Sequence, residues 1–300
     1  MVASKLAIVL LGMSVSIYVI LKGIISTNHP PFFCIRHTIN LVTGRPQDGA
    51  FALYTTVPAD KAAILPDNIP FTSGVVIPLA LEAAICALFV SEPGTALPGV
   101  PIPTLGLPPP SLEPVSTNKI LVVYGGSSSV GSMVIQLATA AGVHVIAVAG
   151  RDNFALSKEA GAAEMFDYKD VEVVDKVVKA VGKLTEGGGE FVGIVDAISI
   201  PETYKHDLAV LAQLGGGYLA CTHPPPPAEE VPGNVKAGMI FVVNDAATSV
   251  WKNFVGQALE KRVLKCLPSP TVLGKGLEFI QEGLVRSEAG VSGTKLVVEV

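Results

Sequence analysis

The stretch Leu121-Val122-Val123-Tyr124-Gly125-Gly126-Ser127-Ser128-Ser129-Val130-Gly131 constrains the fold more than any other part of this 300-residue chain. A continuous apolar run, Lys119 to Tyr124, reads as a strand buried on both faces. The small residues after it read as a tight turn, Val130 to Ala141 as a helix, and Val143 to Ala149 as a second strand. At the turn, Gly125 and Gly126 let the backbone approach a bound group closely, and Gly131 lets the helix pack tightly on the strand. The helix start adds free N–H groups and the positive end of a dipole, while Ser127, Ser128 and Ser129 add hydroxyls. Together these suit a diphosphate. A glycine-rich loop alone is a weak signal, but at the spacing of a βαβ unit it is a strong one.

The alternation continues beyond the loop. Helices are expected over Asn153–Ala160, Val171–Thr185 and Glu202–Gln213, and strands over Glu164–Tyr168, Val192–Ala197 and Gly217–Cys221. Apolar strands separated by helices predict an α/β fold with a doubly wound parallel sheet of Rossmann type and right-handed crossovers. Further on, Met239–Val243 reads as a strand, Ser249–Arg262 and Val272–Glu282 as helices, and Lys295–Val300 as a closing strand. Upstream, 26–48 reads as loop, Ala50–Val57 as a strand and Pro78–Val90 as a buried helix. Pro93 to Pro114 holds eight prolines, so neither helix nor central strand runs through it. It is a surface insertion or a lid.

The choice of dinucleotide is read at the end of the second strand. An enzyme using NAD usually carries an acid there to bind the ribose 2′-hydroxyl. This strand ends Val148-Ala149-Gly150-Arg151, and Arg151 suits a 2′-phosphate, which favours NADPH; Asp152 beside it keeps NAD open.

Leu6 to Leu21 is almost wholly apolar between Lys5 and Lys22. As a helix its sixteen residues span roughly 24 Å, short of the ~30 Å hydrocarbon core. Extending it to Ile25 brings it close to spanning, with Lys22 free to snorkel. Residues 1–25 are therefore expected as a hydrophobic helix, either a membrane anchor through residues 6–25 or a plain apolar helix in a cytoplasmic protein. No small-x-small cleavage site follows, against a signal peptide. The apolar fraction is 49%, enough for a large core, and the net charge of -5 with no basic run gives nucleic acid no electrostatic purchase. Four cysteines stand far apart, which argues against both a disulfide framework and a zinc cluster.

Several separate stretches carry a family resemblance: Gly49-Ala50-Phe51 with Tyr54-Thr55, Leu65-Pro66-Asp67-Asn68, the helix from Pro78, the loop GGSSSVG, Arg151-Asp152-Asn153-Phe154, Phe166-Asp167-Tyr168, and the ending from Gly274 through Gly293-Thr294-Lys295. Over Gly49 to Val300 the chain resembles the medium-chain dehydrogenase/reductase superfamily. Within it, the chain is most similar to the zinc-free quinone-reductase and trans-acting enoyl-reductase branch. The resemblance implies that Ser127 to Val130 hold the pyrophosphate and that Gly150, Arg151 and Asn153 surround the 2′-phosphate. It puts Tyr168 against the adenosine, and Ala197, Ile198 and Ser199 beside the nicotinamide. It also implies a truncated GroES-like β lobe over 26–70, followed by the Rossmann domain over 71–300 with its insertion at 93–114. The cysteine and Gly-His-Glu ligand set of the zinc branch is missing, so no metal is expected. Subunit pairing along a sheet edge, as in related proteins, implies a homodimer.

Two functions follow from this reading. One is an NADPH-dependent oxidoreductase that delivers hydride to an activated C=C bond in an enoyl thioester or a quinone-like enone. The other is an NADPH-binding remnant, catalytically impaired, that acts as an interaction module. No catalytic side chain is assigned: Tyr54 and His223 read better as a packed strand tyrosine and a solvated loop histidine. Asp196 reads as an organiser of its loop, Trp251 and Phe254 as core or dimer contacts. The Tyr-x-x-x-Lys pair of short-chain dehydrogenases is absent after the fourth strand.

Overall fold

The computed structural model describes residues 63–241 and 247–299, together with the backbone of Ala246 and of three short strands, Ala7–Leu10 (β1), Val19–Lys22 (β2) and Phe33–Arg36 (β3). In chain order there follow α1 (Phe71–Gly74), α2 (Pro78–Leu88), β4 (Thr95–Leu97), β5 (Val100–Pro101), β6 (Lys119–Tyr124), α3 (Ser129–Ala140) and β7 (His144–Ala149). Next come α4 (Phe154–Ala160), β8 (Glu164–Asp167), α5 (Val173–Glu186), β9 (Glu190–Asp196), α6 (Pro201–Gln213), β10 (Gly217–Cys221) and β11 (Val235–Met239). The last are α7 (Ala246–Val250), α8 (Gly256–Glu260), β12 (Pro270–Lys275), α9 (Phe279–Glu288) and β13 (Lys295–Glu299). They divide into two compact units, one reaching Glu82 and resuming at Ala247, the other Ala83–Ala246.

The second unit is the expected doubly wound sheet. Six parallel strands run in the order β11-β10-β9-β6-β7-β8. β6, β7, β9 and β10 are buried nearly throughout, which is why they read as unbroken apolar runs. One face of the sheet packs with α5 and α6 around Val122, Ile146, Val177, Val181, Ile194 and Leu211. The strand order reverses at β6, which has β7 on one side and β9 on the other. Chains leaving β6 and β9 therefore part to opposite faces and open a crevice at their carboxyl ends.

Part of the Pro-rich insertion is ordered as a hairpin, β4 with β5. Its continuation lies on β11, where a Cβ on Gly238 would come within 2.8 Å of the Pro101 carbonyl. This glycine also explains a misplaced strand. Sequence reading expected Met239–Val243, but the ladder to β10 runs over Val235–Met239, because Gly238 lowers the apparent strand propensity while serving a close backbone approach.

In the first unit, β13 is the middle of a three-stranded sheet, antiparallel to β1 and parallel to β12. Three expectations are corrected here. The apolar segment expected as one hydrophobic helix contains β1 and β2; its β-branched residues enter ladders with β13 and β3. The loop expected over 26–48 contains β3. Val272–Glu282 is not one helix: β12 ends at Lys275 and α9 begins at Phe279. Gly274 and Gly276 weaken a helix there, and pairing with β13 favours the strand. The helix expected over Ser249–Arg262 is present but widens into a π turn at Trp251–Val255. Trp251 is buried, its Nε1–H donating to Glu82 Oε1 at 2.7 Å, which makes it a core residue. The strand expected over Ala50–Val57, with Tyr54, lies outside the described residues.

Candidate functional site

At the reversal of strand order, Gly125 and Gly126 leave β6 with both N–H groups donating to the Val148 carbonyl, at 2.9 and 3.0 Å. The chain then turns through Ser127 and Ser128 into α3. Ser128 is the N-cap: its Oγ accepts from the Gly131 N–H at 3.0 Å, and its carbonyl accepts from Ser132 N–H at 2.9 Å. The Ser127, Ser129 and Val130 N–H groups have no acceptor among the described residues. They are the free donors of the helix start, on the residues expected to hold a diphosphate. The Ser129 hydroxyl is also buried without a partner among the described residues.

The loop is closed to side chains. Gly125 sits at φ +74, and a Cβ on it would lie 2.6 Å from Ile198 Cγ1. A Cβ on Gly131 would stand 2.1 Å from the Gly125 carbonyl oxygen. Free helix-start donors, an orphaned hydroxyl and a backbone cradle without Cβ atoms fit the diphosphate of a dinucleotide. The structure differs from the sequence reading in one respect: Ser128 serves the helix itself, so its hydroxyl oxygen is already engaged.

A second group gathers at the tips of β7 and β8. Gly150 caps the short 3-10 turn Arg151–Asn153. Arg151 is mostly exposed and its Nε lies 3.4 Å from Asp167 Oδ2, leaving most of the guanidinium toward solvent. Tyr168 is 44% exposed, and its ring edge is 3.3 Å from where a Cβ of Gly150 would be. Lys169, which sequence reading passed over, places its Nζ 5.7 Å from the Tyr168 ring centroid. Its signal was a basic residue next to an aromatic one at a strand end. An aromatic face beside two cations suits an adenosine carrying a phosphate.

The third group is the turn after β9. Ala197 N–H donates to the Tyr124 carbonyl at 3.0 Å, joining the two strands that flank the crevice. Ile198 leans over Gly125, and Ser199, at φ 57, donates from Oγ to the Asp196 carbonyl at 2.8 Å and accepts from Thr222 N–H at 2.8 Å. Thus all three predicted clusters lie along the carboxyl ends of β6, β7, β8 and β9. Asp196 organises the loop as expected. His223 is exposed on the loop after β10, its Nδ1 3.4 Å from the Thr222 hydroxyl. What sequence reading missed is beneath the turn: Asp207 and Thr203 of α6, buried with Asp196.

A cavity of about 690 Å³ lies elsewhere in the same unit, between the hairpin and Pro224–Pro227, and contains none of the predicted site residues. Among the described residues no three His, Cys, Asp or Glu side chains gather as a metal ion would require.

The zinc-binding dehydrogenase family profile matches residues 129–232. The dehydrogenase orsE of Emericella nidulans is 65% identical over 267 residues, covering 88% of this chain and 75% of that protein. The trans-enoyl reductase himH of Aspergillus japonicus is 34% identical over 272 residues, covering 89% and 73%. Among solved structures, the CurK enoyl reductase superposes with a TM-score of 0.63 at 14% identity, covering 96% of this chain and 79% of that one. The quinone oxidoreductase of Thermus thermophilus, solved also with NADPH, gives 0.58 at 19%, covering 99% and 91%. At such identities these two establish the fold.

Proposed function

The chain belongs to the medium-chain dehydrogenase/reductase superfamily, a family of nicotinamide-nucleotide oxidoreductases, and on that footing we propose that it uses NADPH to reduce an activated C=C bond, in an enoyl thioester or a quinone-like enone, without zinc. The observation that carries this is the cradle at the strand reversal, with its three unpaired N–H groups and two cations at the neighbouring strand tips. In this reading Ser127, Ser129 and Val130 grip the diphosphate, while Arg151 and Lys169 face the 2′-phosphate. Tyr168 packs on the adenosine, and Ala197, Ile198 and Ser199 floor the nicotinamide. Bound NADPH supplies a hydride. The residues of the chain bind it, orient it and keep water from it; no side chain is assigned as proton donor. That the similar protein himH is a trans-enoyl reductase supports the choice of an enoyl substrate.

A cytoplasmic location fits this reading. Among the described residues the run long and apolar enough to cross a membrane, Phe71–Leu88, is 78% buried, as a core helix is. A homodimer would pair two copies along an edge of the six-stranded sheet, which ends in β11 on one side and β8 on the other.

The test is a titration of the purified protein with NADPH and NADH, followed by nucleotide fluorescence, then an assay of nucleotide oxidation across a panel of enoyl thioesters and quinones. Tighter binding of NADPH and its oxidation by a member of the panel are expected. Binding without turnover would replace this reading with that of an interaction module, and a folded protein binding neither nucleotide would remove both.

A further inference from the structure

Beneath the turn that follows β9 lies a buried acidic cluster that makes no direct part of the cradle. Asp196 is fully buried; its Oδ1 accepts from the Ile198 and Ser199 N–H groups at 2.8 Å each, and its Oδ2 from the Thr203 hydroxyl at 2.5 Å. One turn along α6 from Thr203, Asp207 is 1% exposed on the same buried face of the helix, near enough to Asp196 to feel its charge. Among the described residues no Lys or Arg pairs with either acid. Two neighbouring carboxyls in a dry interior do not both ionise. Burial, and then the charge of Asp196, hold the Asp207 carboxyl well above the ordinary carboxylate range. Asp207 therefore keeps its proton at neutral pH and has it to offer to Asp196. Its Oδ2 has no partner among the described residues, which a neutral acid tolerates far better than an anion.

The groups facing the pair come from each element around it. From β6, Tyr124 places its hydroxyl 2.9 Å from His206 Nδ1 of α6. Tyr204 comes from α6 and Cys221 from β10. Burial pushes the Tyr124 and Tyr204 hydroxyls and the Cys221 thiol above their ordinary values, so all three are neutral. What the pair restrains is the turn itself. Ser199 occupies the left-handed region, which is unfavourable for a residue with a Cβ and persists only where its surroundings hold it. The two amides bonded to Asp196 Oδ1 are those of Ile198 and Ser199, and Ile198 is the residue resting on Gly125.

We propose that Asp196 and Asp207 act as one positioning unit, an acid–carboxylate pair that holds the Ala197–Ser199 turn against the phosphate loop and so governs the grip on the nicotinamide half of the cofactor, not the adenosine half. This deepens the cofactor reading above and rests on it. The adenosine half would meet Gly150, Arg151 and Tyr168 at the tips of β7 and β8, which share no hydrogen bond with the pair among the described residues.

Two substitutions of Asp207 test it. Asp207→Leu keeps the branched shape, at a larger volume, and removes the donor, whereas Asp207→Asn keeps a donor that cannot ionise. Affinities for NADPH and for 2′,5′-ADP are measured by calorimetry between neutral and alkaline pH, with amide exchange at Ile198 and Ser199 in the free protein. In Asp207→Leu, NADPH binding should weaken by about 10-fold or more, 2′,5′-ADP binding should stay within about 2-fold, and the two amides should exchange faster. As pH rises and Asp207 gives up its proton, the wild type should lose NADPH affinity relative to 2′,5′-ADP. Asp207→Asn should match the wild type at neutral pH and lack that alkaline loss. Equal binding of both ligands by Asp207→Leu and wild type, or a proportionate loss of both, overturns the proposal. So does an alkaline loss retained in Asp207→Asn, which decides the matter even if Asp207→Leu does not fold. In each of those outcomes 2′,5′-ADP still binds the wild type and the cofactor reading stands. A folded wild type that binds neither ligand overturns that reading, and the proposal with it.

Discussion

Gly131→Ala is the smallest change that asks whether the backbone cradle works as described. The added methyl would sit 2.1 Å from the Gly125 carbonyl oxygen, 2.8 Å from its carbon and 3.1 Å from Gly126 Cα. Ordinary contact needs the loop and helix to part by about 1 Å. The loop cannot give freely, because Gly125 and Gly126 are both bonded to the Val148 carbonyl, Ser128 N–H is bonded to the Gly125 carbonyl at 2.8 Å, and Ile198 lies over Gly125. Straining these three hydrogen bonds, each worth about 1 kcal/mol net, predicts a loss of roughly 2–3 kcal/mol. For a domain of this size that lowers Tm by about 5–10 °C. A shift of about 1 Å in the donors facing the diphosphate forfeits at least one hydrogen bond to a charged group, about 1.5–3 kcal/mol, and should weaken NADPH binding by roughly 10- to 100-fold. Thermal denaturation and calorimetric titration read the two effects separately. A Gly131→Ala protein with wild-type Kd for NADPH would refute the argument, since the donors would then have moved without consequence or would never have faced the ligand.

Arg151→Ala should weaken NADPH about 5- to 30-fold, a charge-assisted contact discounted for the exposure of the guanidinium, while NADH binding changes little; equal losses for both nucleotides in paired titrations would remove Arg151 from the 2′-phosphate site. Lys295 is buried with its Nζ donating to the Val76 carbonyl at 2.6 Å, and burial lowers its amine to about 7. The unfolded state then binds the extra proton between about pH 7 and 10.5, so wild-type stability should rise with pH relative to Lys295→Met by roughly 1 kcal/mol per unit. Urea unfolding of both proteins across that range checks it, and parallel stability curves would count against a buried neutral amine.

The phosphate loop was legible because its signal lies in the backbone: glycines, a serine cap and apolar runs report turns and strands directly. Arg151 was legible by position, since it stands two residues past the end of β7, where an acid could have stood. Asp207 was not, although its helix held a clue. The buried residues of α6 are Thr203, Asp207, Val210 and Leu211, which share one helical face, so the acid sits on the apolar side. Spacing shows that an acid is buried, but not which carboxyl it meets, because Asp196 belongs to another element. β11 and β12 were misread for a related reason. Gly238 and Gly274 lower local strand propensity, and what places them in strands is pairing with β10 and β13, distant in the chain.

The two sides of the candidate site rest on different physics, and this predicts how each tolerates change. On the phosphate side the working parts are missing atoms: Gly125 and Gly131 face carbonyls and carbons at distances that leave no room for a methyl of any polarity. Chemistry is irrelevant there and volume decides. Under the nicotinamide side, the space is already filled by Asp196, Thr203 and Asp207, and what must be kept is the match of donors to acceptors. An isosteric swap that alters one donor should do more harm there than a change of size that preserves it. Ile198 ties the sides together, since it rests on Gly125 while its own amide hangs from Asp196. A disturbance of the acid pair therefore reaches the cradle through one side chain, without any move of the sheet.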